Sequence, residues 1–216
     1  MNKLDHIVIG AFTLEEGTEF VESKLQSKLS DIGYHENLGT HNRVIRIDDN
    51  VYLEVIAINP QSRNLKVRNC FNLDNSKLQS KLKKSPQIIS YVIENNDINI
   101  LKYYDPFFEV SRANYRWQFA MPSYKKNILN DDIIESGIIP SLISWKSENP
   151  ILHMKKNQFE LIGFEIILSK KEHYFKSILN SFGEIKNVTF ISSMLENTPF
   201  FKLKLKDNLR NTIISF

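Results

Sequence analysis

His6 and Glu54 stand in the middle of two apolar runs, Leu4-Asp5-His6-Ile7-Val8-Ile9 and Val51-Tyr52-Leu53-Glu54-Val55-Ile56. An imidazole or carboxylate buried among such neighbours costs free energy unless it is hydrogen-bonded, paired or bound to a cation, so both are candidates for a site. Their nitrogen and oxygen donors suit Zn, Ni, Mn or Fe(II). Without metal, either can act as a general base or a hydrogen-bond anchor. The ordinary alternatives are a core histidine donating to a backbone carbonyl, and a glutamate paired with Arg43 or Arg46 across a hairpin.

The elements that position this pair follow from local patterning. Thr13 and Glu16 have the spacing of a capping box, which starts a helix over 13–28 between strand 4–9 and strands near 43–47 and at 51–57. Asp48-Asp49-Asn50 reads as the tight turn of the following hairpin. After a Lys-rich helix face from Lys77 to Lys84, a similar order returns: strand 87–93, an Asn96/Asp97 cap with helix 97–104, and strands at 108–112, 115–121 and 139–146. The polar stretch from Tyr124 to Gly137 reads as a flap or surface loop. A third round begins with strand 160–168 and a capping box from Ser169 to Glu172. A helical stripe of Tyr174, Phe175, Ile178, Leu179 and Phe182 then ends at Gly183, and strands follow near 186–192, 199–206 and 210–216.

With 216 residues and 42% hydrophobic content the chain can bury a real core. Its 28 basic and 25 acidic residues are interspersed and leave a net charge of +3, which argues against a nucleic-acid or membrane partner. Cys70 is the only cysteine, and neither a signal peptide nor a membrane-spanning run is visible, so a cytoplasmic location is expected. Cys70 has no histidine near it in sequence to motivate a nucleophile. His153 and His173 read as surface residues. Seven glycines form no phosphate-binding loop, and no serine sits in a nucleophile elbow.

The strand opening on Leu-Asp-His, the tetrad Gly39-Thr40-His41-Asn42 and the run Tyr52-Leu53-Glu54-Val55-Ile56 resemble the glyoxalase-like domain family of the vicinal oxygen chelate (glyoxalase/bleomycin resistance/dioxygenase) superfamily. The run from Arg112 to Trp117 and Ile139-Pro140-Ser141-Leu142-Ile143-Ser144-Trp145 add to the likeness, which covers roughly residues 3–150. The resemblance implies an α+β fold in which paired βαβββ modules, about 1–60 and 86–147 with the Lys-rich linker between them, form an open cup-shaped half barrel. The cup would occupy residues 1–150, with a C-terminal βαβββ-like unit at 155–216. In metal-dependent members each module gives one ligand from its first strand and one from its last, and His6 and Glu54 match the first module's pair. In the second module Ile89 or Ser90 and Trp145 fall at the corresponding positions, and neither Ile nor Trp can ligate, so a divalent metal needs a further ligand or is absent.

His41 is the further candidate, as ligand or as catalytic partner of Glu54. A two-residue hairpin loop, Asp49-Asn50, puts it on the glutamate's face, and a three-residue loop turns it away. His35, in a glycine-flanked loop, is a second candidate. Trp117 and Trp145 are expected to wall the cavity, Asn42 to contact the ligand, and Arg116 to anchor a carboxylate or phosphate. The expected function is small-molecule binding in the cup, with lyase, isomerase or dioxygenase chemistry on a carbonyl or vicinal-oxygen substrate. The alternative is metal-free sequestration without catalysis. A C-terminal unit lacking a pairing module would join its counterpart in a homodimer.

Overall fold

The computed structural model describes residues 2–62, 70–95, 102–123, 136–168, 176–193 and 200–216. The Asn96/Asp97 cap, most of the Tyr124 to Gly137 stretch, and the Ser169 to Glu172 box with His173, Tyr174 and Phe175 lie outside them. Strand β1, Lys3–Gly10, leads into helix α1, Leu14–Leu25, through the expected capping box: Glu16 N–H donates to Thr13 Oγ1 at 3.2 Å and Thr13 N–H to Glu16 Oε2 at 3.3 Å. The helix stops before residue 28 because Gln26 takes a left-handed conformation, after which Leu29 N–H caps back onto Glu22 Oε1. Strands β2, Gly33–His35, β3, Thr40–Arg46, and β4, Tyr52–Ile58, complete the first half.

Helix α2, Ser76–Leu82, is the Lys-rich segment, capped by Asn75 and anchored by buried Leu82. It precedes β5, Gln87–Glu94, β6, Phe108–Arg112, β7, Tyr115–Ala120, and β8, Ser141–Trp145. The last of these starts later than expected, at the residue after Pro140, which has no N–H to give a ladder. All eight strands form one sheet in the order β2-β3-β4-β1-β5-β8-β7-β6. Both halves share one wiring. The first strand runs parallel to the fourth (β1 to β4, β5 to β8), and β1 and β5 meet antiparallel at the centre.

The sheet curls until its two ends, β2 and β6, come into contact. Alternation then sorts the side chains. Ile7, Ile9, Leu53 and Val55 face the convex side, where α1 packs, while Val8, Ile56, Trp117, Phe119 and Ile143 cluster inside the cup.

The remaining strands, β9, Phe159–Leu168, β10, Val188–Ser192, β11, Phe201–Asp207, and β12, Thr212–Ser215, with the short helix α3, Lys176–Asn180, keep the order βαβββ. Their sheet, β10-β9-β11-β12, is wired differently from the cup halves: β9 lies parallel to β10, the second strand of its unit, instead of the fourth. Its apolar face packs on the convex side of the cup, where Tyr91 meets Phe164 and Phe201 at ring separations of 5.6 and 6.3 Å. One face of this sheet is therefore covered within the chain. Polar tethers add to this docking, among them Leu161 N–H donating to Asp48 Oδ2 at 3.0 Å, Asn157 Nδ2 donating to the Arg46 carbonyl, and Asn2 Nδ2 donating to the Phe182 carbonyl at 2.7 Å.

Candidate functional site

The hairpin between β3 and β4 has the three-residue loop. Val44 pairs with Glu54 and Arg46 with Tyr52, and Ile47 N–H donates to the Val51 carbonyl. This is the alternative that turns His41 away from the cup, which removes it as ligand or catalytic partner of Glu54, and it brings the neighbouring Asn42 onto the glutamate's face. Asn42 Nδ2 donates to Glu54 Oε1 at 2.5 Å. His41 is buried outside the cavity, with Nε2 lacking a hydrogen-bond partner among the described residues and burial holding its pKa down.

On the next strand His6 offers both ring nitrogens to carboxylates. Nδ1 lies 2.5 Å from Asp5 Oδ1, and Nε2 lies 3.5 Å from Glu54 Oε2. The ring stacks on Tyr52 at 4.6 Å. Consecutive residues of a strand normally face opposite ways, but Leu4 pairs with Ile93 and His6 with Val92, leaving Asp5 as the extra residue of a β-bulge. The bulge brings Asp5 to the side of His6. There it also accepts from Trp145 Nε1 at 2.8 Å and Asn149 Nδ2 at 3.0 Å. Burial, with the Asp5 and Glu54 carboxylates, pushes the Tyr52 phenol up, so it stays protonated beside them.

Arg112 enters from the far edge of the sheet, its Nη1 donating to Asn42 Oδ1 at 2.9 Å. A polar chain thus crosses the cup from Arg112 through Asn42, Glu54 and His6 to Asp5 and Trp145. Arg116, the expected anchor, is exposed on the outer side of β7, because Trp117 beside it faces in. Trp117 and Trp145 do wall the cavity, 5.4 Å apart. His35 also lines it, with Nδ1 3.1 Å from Thr40 Oγ1 and burial drawing its pKa down to about 4. Cys70 is a wall residue whose thiol burial pushes up, with the Glu54 charge adding to the effect, so it is a poor nucleophile.

The inner cavity is about 50 Å³. It shares His35, Leu38, Arg112, Tyr115 and Met154 with an outer cleft of about 840 Å³.

His6 is oriented as metal-ligating histidines are, with Nδ1 held by a carboxylate and Nε2 directed inward. The donor set nevertheless falls short of a metal centre. Glu54 Oε1 is taken by Asn42, and the facing wall presents Trp117, Phe119, Ile143 and Trp145. Among the described residues no three His, Cys, Asp or Glu side chains are placed to share an ion, whereas zinc sites draw three or four ligands from the protein.

Two like-wired half-sheets around a common cavity, with polar side chains on the first and fourth strands of one half, define a cup of the vicinal oxygen chelate type. The glyoxalase-like domain family matches residues 4–180, and the chain belongs to that family. Among solved structures, similar chains include a hypothetical protein from Bacillus halodurans, at 16% identity over 68% of this chain and 96% of that one, TM-score 0.42. A methylmalonyl-CoA epimerase from Mycobacterium tuberculosis is 15% identical over 69% and 91%, TM-score 0.42. A 4-hydroxymandelate synthase mutant from Streptomyces coelicolor is 8% identical over 99% and 62%, TM-score 0.44. No curated protein matches the chain.

Proposed function

We propose that the cup binds a small oxygen-bearing molecule and that Glu54 exchanges a proton with the carbon beside its carbonyl, without a resident metal. The observation that carries this reading is the Glu54 carboxylate itself, 5% exposed yet lining the cavity, with Asn42 on one oxygen and His6 Nε2 near the other. In the step, the C–H bond breaks, the proton passes to Glu54, and the electron pair moves onto the carbonyl oxygen. With Nδ1–H held by Asp5, His6 Nε2 is free to accept that proton from Glu54. Apolar walls exclude water, so the carbanion equivalent is either reprotonated, which is isomerase-type chemistry, or expels a leaving group from the next carbon as its electron pair returns, which is lyase-type chemistry.

Trp117 and Trp145 are the only tryptophans, and both line the cavity, so the chain's tryptophan fluorescence reports on the cup. Hydroxyacetone is expected to change that fluorescence and to exchange its C–H for deuterium in D2O faster with the native protein than with Glu54→Gln, which still binds. Binding without enzyme-dependent exchange would sink the proton-transfer step and favour sequestration. Absence of binding by any small oxygen compound would sink the cup reading itself.

A further inference from the structure

Arg112 occupies a position built for it. It ends β6, immediately before a turn in which Ala113 takes a φ of 50°, and lies across the seam from Gly33 of β2. A Cβ at Gly33 would collide with Arg112 Nη1 and Asn42 Oδ1. The missing side chain is the cradle in which guanidinium and amide meet. Of the five N–H groups a guanidinium carries, one goes to Asn42. Among the described residues, no carboxylate lies within ion-pair distance of Arg112. A part-buried fork of spare donors, lining both the inner cavity and the outer cleft, is the geometry that receives a planar anion in two parallel hydrogen bonds.

Dimensions narrow the ligand further. A single amide bridges Arg112 Nη1 and Glu54 Oε1, so the two atoms are no more than about 8 Å apart. On a scale where a ~150 Å³ cavity holds benzene, the inner space admits about two or three non-hydrogen atoms. Resting on the reading of the cup as a small-molecule site, we propose that its ligand is a carboxylate whose neighbouring carbon carries an oxygen, the 2-oxo or 2-hydroxy acid pattern. The carboxylate sits on Arg112 at the mouth, and the adjacent oxygen-bearing carbon reaches inward to Glu54 and His6. The inner space takes that carbon, its oxygen and the third carbon, which in a 2-oxo acid is the one whose C–H stands beside Glu54, and whatever the acid carries beyond the third carbon lies in the outer cleft.

The test compares pyruvate and lactate with hydroxyacetone, which keeps the carbonyl but lacks the carboxylate, and with acetate, which lacks the second oxygen. Titrations at constant ionic strength use tryptophan fluorescence on the native protein, Arg112→Gln, Arg112→Lys and Gly33→Ala. Pyruvate or lactate is expected to bind the native protein at least about tenfold more tightly than hydroxyacetone or acetate. That preference should disappear in Arg112→Gln and Gly33→Ala and weaken in Arg112→Lys, which keeps the charge without the fork. The stronger of pyruvate and lactate tells the oxo from the hydroxy acid. Hydroxyacetone binding as tightly as the acids, or an acid preference surviving Arg112→Gln, overturns the carboxylate assignment and leaves the cup reading intact. If none of the four binds, the carboxylate assignment fails, and the cup reading stands or falls separately on whether any other small oxygen compound binds.

Discussion

At the scale of single residues, Asp5 carries more of the site than its neighbours. It is 2% exposed and accepts from His6, Trp145 and Asn149 together, tying the first strand of one half to the last strand of the other. Asp5→Ala leaves three donors without an acceptor and is expected to cost about 2–4 kcal/mol in urea denaturation. In 15N NMR the His6 ring nitrogens should shift once Asp5 no longer holds Nδ1. Unchanged nitrogen shifts would show that Asp5 does not fix the ring. His35 gives a pH dependence with a definite sign. Its imidazole protonates near pH 6.5 in the unfolded chain but near 4 when folded, chiefly through burial. Unfolded molecules therefore bind more protons between those values, and stability falls as pH drops from 6.5 to 4, by on the order of 2 kcal/mol for a part-buried ring. Burial lowers His41 as well, adding in the same direction. His35→Gln should flatten the change in urea midpoint between pH 7 and 4.5, and an identical pH profile would refute it.

At the scale of elements, what was legible in the sequence depended on whether a side chain's direction follows from local pattern. The capping box, the alternation in β4 and the positions of His6 and Glu54 were readable. Arg116 and Trp117 are consecutive on β7, so alternation alone forbids both from facing in. That signal was present and excludes Arg116, while the inward face of Arg112 follows from the β6–β7 register, in which Val110 pairs with Trp117 and Arg112 with Tyr115. His41 against Asn42 turned on one residue of loop length, which Asp48-Asp49-Asn50 leaves undecided. The bulge that recruits Asp5 has no glycine or proline to mark it. Asp48 does more than turn the chain: its Oδ2 holds Leu161 N–H of the second sheet. Asp48→Ala is expected to cost about 1–2 kcal/mol and to speed amide exchange at Leu161 while leaving exchange in β1 unchanged. Equal protection at Leu161 in both proteins would show that the tether is idle.

For the whole molecule, a single apolar core runs from the convex face of the cup into the second sheet. The C-terminal unit reads as separable from element order, yet its sheet covers Tyr91 and the strand centres of the cup. A fragment of residues 1–154 exposes that face and is expected to aggregate or to unfold without a cooperative transition, whereas the full chain melts in one. A well-folded monomeric fragment with a sharp melt would show the cup to be an independent domain. Among the described residues no helix is long and apolar enough to cross a membrane.

The seam at Gly33 and Arg112 has a further consequence for how the protein behaves in a crowd. An open eight-stranded sheet has two borders whose free N–H and C=O groups can recruit strands from other chains. Here the borders are three- and five-residue strands turned toward one another, with a charged guanidinium between them. The residue assigned to greet the ligand also stands guard against self-association, so a variant that loosens Arg112 should be judged by its tendency to form fibrils or clumps as well as by what it binds.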